Sequence, residues 1–135
     1  MIGINDLNTK ERELVLEAIR AKNNAYAPYS KFKVGAAVST KNGKVYNGCN
    51  IENASFGLTV CAERVALFKA YSEGEREIDV IAVTADVDEP VSPCGACRQV
   101  ILELAKGARI LLSNKDGSKI LATKPEELLP YGFVL

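Results

Sequence analysis

Histidine is absent from the 135-residue sequence, and neither sign of charge is in excess. Without histidine, proton transfer near neutral pH falls to a carboxylate, a lysine or a cysteine, and a metal site must be built from thiolates and carboxylates. Seventeen basic residues balance 17 acidic ones, so the basic excess typical of a nucleic-acid-binding protein is missing. We therefore expect no nucleic-acid partner.

Long apolar runs are also absent. None approaches the roughly 20 residues that a membrane-spanning helix needs, and the N-terminus turns polar at once, unlike a secretory signal. We therefore expect a cytoplasmic protein without a membrane partner. The length and a composition of 47% apolar and 25% charged residues are typical of one globular domain. The sequence predicts a single domain over residues 1–135, with no repeat or linker.

The predicted helices and strands follow the order αββαβαββα. Asn8 with Glu11 gives a capping-box pattern before a helix over about 9–22. Asn42-Gly43 is a strong turn signal for a hairpin, and the stretch 48–60 is interpreted as mostly loop. This order predicts an α/β fold with helices on a mixed sheet. The strands are predicted at 34–39, 44–47, 80–85, 109–113 and 119–122, and the later helices at 61–72, 94–106 and 125–129.

Four cysteines carry the main chemical signal, and in such a chain they favour metal binding or catalysis over a disulfide framework. Cys94 and Cys97 lie three apart at a turn into a predicted helix, and Cys61 begins another helix. Three thiolates from two helix starts predict a zinc site with one position left for water, the mark of a catalytic site. Cys49 is either a fourth ligand that closes the site or a small buried residue.

Two charged residues, Glu63 and Arg64, follow Cys61 within three positions. Three thiolates around Zn²⁺ leave a net charge of about −1, which weakens the ion's effect on a water molecule. The helix N-termini and Arg64, on the same helix face as Cys61, are candidates to offset that charge. Glu63 is the only local candidate for moving protons. In isolation, both residues would be interpreted as surface residues. No role is assigned to Arg98.

The motif Cys61-Ala62-Glu63-Arg64, followed by the segment PCGACRQ at 93–99, resembles the small homotetrameric zinc-dependent cytidine deaminases. The segments YSKFKVGAA at 29–37, GCNIENAS at 48–55 and LLP at 128–130 with Phe133 extend the resemblance over nearly the whole chain. It implies a three-layer α/β/α fold with a mixed five-stranded sheet and one Zn²⁺ per chain. The implied activity is hydrolysis of cytidine and 2′-deoxycytidine to the uridines and ammonia, in pyrimidine salvage.

The resemblance also implies a role for each matching residue. Cys61, Cys94 and Cys97 would ligate zinc, and Glu63 would pass protons from a water molecule to N3 of the pyrimidine and to the departing amine. Arg64 and Gln99 would temper the thiolates. The substrate would be held by the Ala62 N–H at O2, the Ser92 carbonyl at the amino group, Asn50 and Glu52 at the ribose 3′-hydroxyl, Phe32, and Phe133 from a neighbouring subunit.

The implied partners are a small nucleoside and further copies of the chain, in a homotetramer with shared active sites. Taken without the resemblance, Asn50 would be a turn residue and Glu52 a solvated one, while Phe32 and Phe133 would be core or interface fillers.

Two other functions remain open at this point. A blasticidin S deaminase shares the Cys-Ala-Glu and Pro-Cys motifs, but Asn50, Glu52 and Arg64 favour the nucleoside enzyme. A non-catalytic zinc-stapled binding module would need Cys49 to close a four-cysteine site, and the placement of Glu63 speaks against it.

Overall fold

Five strands and four helices follow one another in the predicted order in the computed structural model, which describes residues 1–135. Short 3₁₀ turns at Ile4–Asp6 and Phe56–Leu58 were not expected from the sequence. The helices are α1 Thr9–Lys22, α2 Ala62–Ser72, α3 Gly95–Leu104 and α4 Pro125–Leu128, and the strands are β1 Val34–Thr40, β2 Val45–Cys49, β3 Ile78–Ala85, β4 Arg109–Ser113 and β5 Ile120–Thr123.

The strands form one mixed sheet in the order β2-β1-β3-β4-β5. Only β3 and β4 run parallel, and α3 forms the crossover between them. The other three pairs are antiparallel. The mixed five-stranded sheet expected from the sequence is therefore confirmed.

Helices cover both faces of this sheet, which gives the three layers that were predicted. On one face, Val15 and Ala18 of α1 pack with Ala37 and Ala82. The opposite face of the same strands packs against α2 and α3. Because both faces are covered, β3 needs apolar residues at almost every position, and this explains its continuous apolar run.

Local sequence signals fix the element ends. The Asn8 side chain accepts a hydrogen bond from the Glu11 backbone N–H at 2.8 Å, and the Asn8 N–H donates to the Glu11 carboxylate at 3.3 Å. Gly43 turns the β1–β2 hairpin with a φ of 88°. No helix combines the length and the apolar character needed to cross a membrane.

The segment 48–60 is more ordered than the predicted loop. Strand β2 continues to Cys49, and Ile51 forms isolated bridges to Tyr26 and Val60. Such single bridges produce no run with a period of 2 or 3.6 residues, so the sequence pattern does not show them.

Gly48 lets α2 approach the sheet closely. A Cβ atom at this position would lie 2.6 Å from the Ala62 carbonyl oxygen and 2.7 Å from the Ala66 nitrogen. The contact places the first turn of α2 directly against β2, so Gly48 sets the position of the residues that begin this helix.

We expect Gly48→Ala to lower the free energy of unfolding by about 1–3 kcal/mol, because the added methyl group must displace backbone atoms. Urea denaturation of both proteins measures the change. Gly57→Ala is the matched control, since a Cβ there meets nothing within 4 Å. Equal stabilities of the two variants would contradict the close packing at Gly48.

Candidate active site

Three cysteine sulfurs meet where the N-termini of α2 and α3 converge. Cys61 is the N-cap of α2, Cys94 is the N-cap of α3, and Cys97 lies in the first turn of α3. Their sulfur atoms all lie within 4.8 Å of one another, and those of Cys61 and Cys94 are 3.8 Å apart. Thiolates bound tetrahedrally to zinc lie about 3.8 Å apart, given Zn–S bonds of about 2.3 Å. The three sulfurs therefore fit zinc.

Cys49 does not belong to this cluster. It ends β2, where it pairs with Gly35, and its thiol is half-buried. Burial raises the pKa of this thiol above its usual value. The cluster thus offers three protein ligands rather than four, the donor number of catalytic rather than structural zinc sites.

The thiols of Cys61 and Cys97 differ in acidity because they interact. A hydrogen bond from Cys97 and the nearby guanidinium of Arg64 together lower the pKa of Cys61 to about 5. The same hydrogen bond, together with burial, raises the pKa of Cys97. These contacts favour the thiolate form of Cys61, and a bound cation would favour loss of the other protons.

Arg64 contacts the cluster directly. Its Nη2 donates to the Cys61 sulfur at 3.4 Å, and its Nε is buried without a hydrogen-bond partner. The surface interpretation of Arg64 is therefore wrong. The residue lies on the same helix face as Cys61, as the three-residue spacing predicts.

Glu63 is buried, with 3% of its surface exposed, although it lies in the first turn of α2. Burial raises the pKa of its carboxyl group to about 7, and the nearby Cys61 thiolate contributes in the same direction. A solvated helix-end carboxylate would not show this burial. A carboxyl group with a pKa near the working pH can both accept and donate a proton.

Asn50 and Glu52 are both buried. Asn50 is therefore not simply a turn residue, and Glu52 is not a solvated one. The Asn50 amide accepts from the Val34 N–H at 2.8 Å and donates to the Phe32 carbonyl at 2.7 Å. The Glu52 carboxylate accepts from the Tyr29 N–H at 2.9 Å. These side chains hold the segment 29–34 in place, and each keeps further hydrogen-bonding capacity.

Sequence reasoning missed Ser30, which links this segment to Glu52. The Ser30 hydroxyl donates to the Glu52 carboxylate and accepts from the Phe32 N–H at 3.0 Å. Burial of Glu52 is therefore accompanied by several hydrogen bonds, which lower the pKa of its carboxyl group. The sequence did carry a signal for this contact. A serine hydroxyl often accepts a hydrogen bond from the backbone N–H two residues later, and Ser30 lies two residues before Phe32.

Phe32 and Phe133 are exposed, by 42% and 67%, so neither fills the core of the chain. The expected contact between Gln99 and a thiolate is not formed. Instead, the Gln99 amide donates to the Phe133 carbonyl at 2.9 Å and accepts from the Phe133 N–H at 3.2 Å. Gln99 thus anchors the C-terminal segment, because the backbone carbonyl and N–H of one residue satisfy both ends of its amide.

Two backbone groups near the cluster have no hydrogen-bond partner within the chain. The Ala62 N–H begins α2, where no carbonyl lies one turn earlier in the helix to accept it. The Ser92 carbonyl lies in the turn before Cys94 and also has no donor. Neither group would therefore have to give up an existing hydrogen bond to bind a small molecule.

We expect Cys94→Ala to weaken zinc binding by more than about 100-fold. Loss of a residue that only supports a ligand already costs 10–100-fold, and this change removes a ligand itself. Competition with a chelator of known affinity measures the effect. Cys49→Ala is the control and should retain about one zinc per chain; loss of zinc in that variant would make Cys49 a ligand.

Comparisons with known proteins agree with this geometry. Residues 8–113 match the family model described as the cytidine and deoxycytidylate deaminase zinc-binding region. A cytidine deaminase of Halalkalibacterium halodurans is 56% identical over 121 residues, covering 89% of this chain and 91% of that protein. The crystal structure of a cytidine deaminase from Burkholderia pseudomallei has a TM-score of 0.86 and 49% identity, covering 90% of this chain and 97% of that one.

A blasticidin-S deaminase of Bacillus cereus is more distant. It is 33% identical to this chain over 133 residues, with 93% of each chain covered.

Proposed function

This chain belongs to the zinc-dependent cytidine and deoxycytidylate deaminase family, and from that membership we propose that it hydrolyses cytidine and 2′-deoxycytidine to the corresponding uridines and ammonia. The observation that carries this proposal is a buried carboxyl group, Glu63, beside three thiols that fit zinc. The relatives named cytidine deaminase support the substrate class.

The metal chemistry and the proton chemistry fall to different residues. Zinc held by Cys61, Cys94 and Cys97 would act as a Lewis acid that makes a water molecule nucleophilic near neutral pH. Glu63 would accept one proton from a water molecule and donate it to N3 of the pyrimidine; it would later accept the second proton, from the oxygen bonded to C4, and donate it to the departing amine. The water oxygen forms a bond to C4, the C4–N bond breaks, and ammonia leaves. The pKa of about 7 suits a carboxyl group that must accept and donate in turn.

The substrate would be oriented by groups that the structure leaves free or buried near the cluster. The Ala62 N–H donates to the pyrimidine O2, and the Ser92 carbonyl accepts from the amino group. Asn50 and Glu52 bind the ribose 3′-hydroxyl with the hydrogen-bonding capacity that the segment 29–34 does not use. Phe32 packs beside the base or sugar.

The three thiolates need a positive neighbour, and we assign this role to Arg64 because its guanidinium already contacts Cys61. Gln99 supports the site in another way in this structure, through the backbone of Phe133. The role of Gln99 in tempering the thiolates, which the resemblance implies, stays a prediction.

We further propose a homotetramer in which Phe133 enters a neighbour's site. Large apolar side chains are exposed in the single chain and would be covered by partners, among them Phe56, Leu58, Tyr131 and Phe133.

We also propose that residues 1–135 form one deaminase domain, since β5 pairs with β4 beyond the matched region. Free thiols are compatible with the cytoplasm, where salvage of pyrimidine nucleosides would take place.

Deamination of blasticidin S is the second candidate, supported by the more distant relative of that name. Conversion of cytidine to uridine, followed by absorbance with zinc quantified on the same sample, tests the first candidate. Zinc without cytidine turnover, but with blasticidin S turnover, would favour the second. Zinc without turnover of either would point to the binding module.

We expect Glu63→Gln to keep the fold and about one zinc per chain, while kcat falls by about 10²–10⁴-fold, the usual contribution of a general acid–base. Steady-state kinetics and metal analysis on one preparation measure both. Glu73→Gln is the control, because Glu73 is exposed just beyond the same helix. Turnover by the Glu63 variant at the wild-type rate would remove this residue from proton transfer.

A shared active site predicts complementation between two defective chains. Glu63→Gln still supplies Phe133, and Phe133→Ala still supplies Glu63, so a mixed tetramer regains some complete sites. We expect activity to rise severalfold when the two variants are co-expressed, compared with the mean of each alone. Activity equal to that mean would place Phe133 outside a neighbour's site.

A further inference from the structure

Arg98 follows the ligand Cys97 directly, and we propose that it is a positioning residue that holds the turn Ser92–Pro93–Cys94. Through this turn it aims the Ser92 carbonyl at the amino group of the substrate. The inference rests on the proposed deaminase function. It adds a residue to which neither the sequence pattern nor the comparisons assign a role.

All three nitrogen positions of the Arg98 side chain donate hydrogen bonds. Nε donates to the Pro93 carbonyl at 2.8 Å, Nη1 to the Leu128 carbonyl at 2.7 Å, and Nη2 to the Ser92 hydroxyl at 2.5 Å. The side chain is half-buried. A planar guanidinium with fixed donor directions fits three acceptors in different segments, which a lysine ammonium on a flexible stem does not match.

The turn has no other hydrogen bonds within the chain at residues 92 and 93. The Val91 N–H donates to the Ser113 carbonyl on one side, and the Cys94 carbonyl accepts from the Arg98 N–H on the other. Between these points, Arg98 alone provides hydrogen bonds to Ser92 and Pro93. Without it, the orientation of the Ser92 peptide group would depend only on packing and on the fixed ring of Pro93.

Arg98 acts by geometry rather than by charge. Its donors are directed at oxygen atoms, whereas the Cys61 thiol receives its guanidinium contact from Arg64. Arg98→Lys removes the planar guanidinium but keeps the positive charge, and we therefore expect it to disturb the site. A misplacement of about 1 Å in a positioned group can cost about 100-fold in rate.

The experiment compares Arg98→Lys with wild type in kcat/KM for cytidine and in the Kd of uridine measured by calorimetry. Uridine carries oxygen at C4 and lacks the amino group that the Ser92 carbonyl would accept from. We expect kcat/KM for cytidine to fall by about 10–100-fold, while uridine affinity changes less than about twofold and zinc stays near one per chain.

Arg76→Lys is the matched control. Arg76 also donates to two backbone carbonyls, those of Tyr71 and Glu75 at 2.8 Å each, but it lies after α2, away from the thiol cluster. We expect this variant to lose comparable hydrogen bonds and to keep both cytidine turnover and uridine affinity. A parallel loss of turnover in both arginine variants would mean that only general stability is affected, and would overturn the positioning role.

Three results would overturn the inference. The first is a kcat/KM for cytidine within twofold of wild type in Arg98→Lys. The second is a loss of uridine affinity in that variant as large as its loss of cytidine turnover. The third is an equal loss of cytidine turnover in Arg76→Lys. If Arg98→Lys fails to fold or to hold zinc, Ser92→Ala decides, because it removes one acceptor and no charge. A selective drop in cytidine kcat/KM in that variant supports the role, and an unchanged value rejects it.

The failure of this inference is distinguishable from failure of the proposed function. A wild-type protein that binds zinc but does not convert cytidine would reject the deaminase, and the role of Arg98 would fall with it. A wild-type protein that converts cytidine, alongside an unaffected Arg98→Lys, would reject only the role of Arg98.

Discussion

The convergence of two helix N-termini on one point is the constraint on which the site depends. Cys61 and Cys94 cap α2 and α3, so the partial positive charge and free N–H groups of both helix ends face the sulfur cluster. This favours thiolates that would otherwise repel one another. The sheet sets the meeting point, because the β3–α3–β4 crossover places α3 and the close contact at Gly48 places α2. The three thiols that fit zinc thus lie at the starts of two helices.

The buried polar side chains around the site also form hydrogen bonds to the protein backbone. Asn50 and Glu52 are buried because they hold the segment 29–34, and Gln99 is engaged because it holds the peptide group of Phe133. Groups fixed in this way lose little further freedom when a substrate binds, which lowers the entropic cost of binding. The proposed ribose contacts therefore come from side chains that the fold already orients.

The sequence predicted the parts of the structure that local rules govern. The capping box at Asn8, the turn at Gly43 and the strand at 109–113 depend on neighbouring residues, and they lie where expected. The three thiols could be grouped because helix starts and the CxxC spacing place sulfurs predictably. The partner of Gln99 could not be predicted, since Phe133 lies 34 positions away with no periodic signal between them. The same holds for Arg98 and Leu128, which meet only through tertiary packing.

The contact between Gln99 and Phe133 has a consequence for how such a site can change in evolution. Gln99 binds the N–H and the carbonyl of residue 133 and makes no use of its ring. The course of the C-terminal segment therefore does not depend on which side chain residue 133 carries. Almost any residue except proline could stand at 133 while the segment keeps its course, because proline alone lacks the N–H. Under the role proposed for Phe133, single substitutions there would adapt the site to a different base or sugar while Gln99 still holds the backbone.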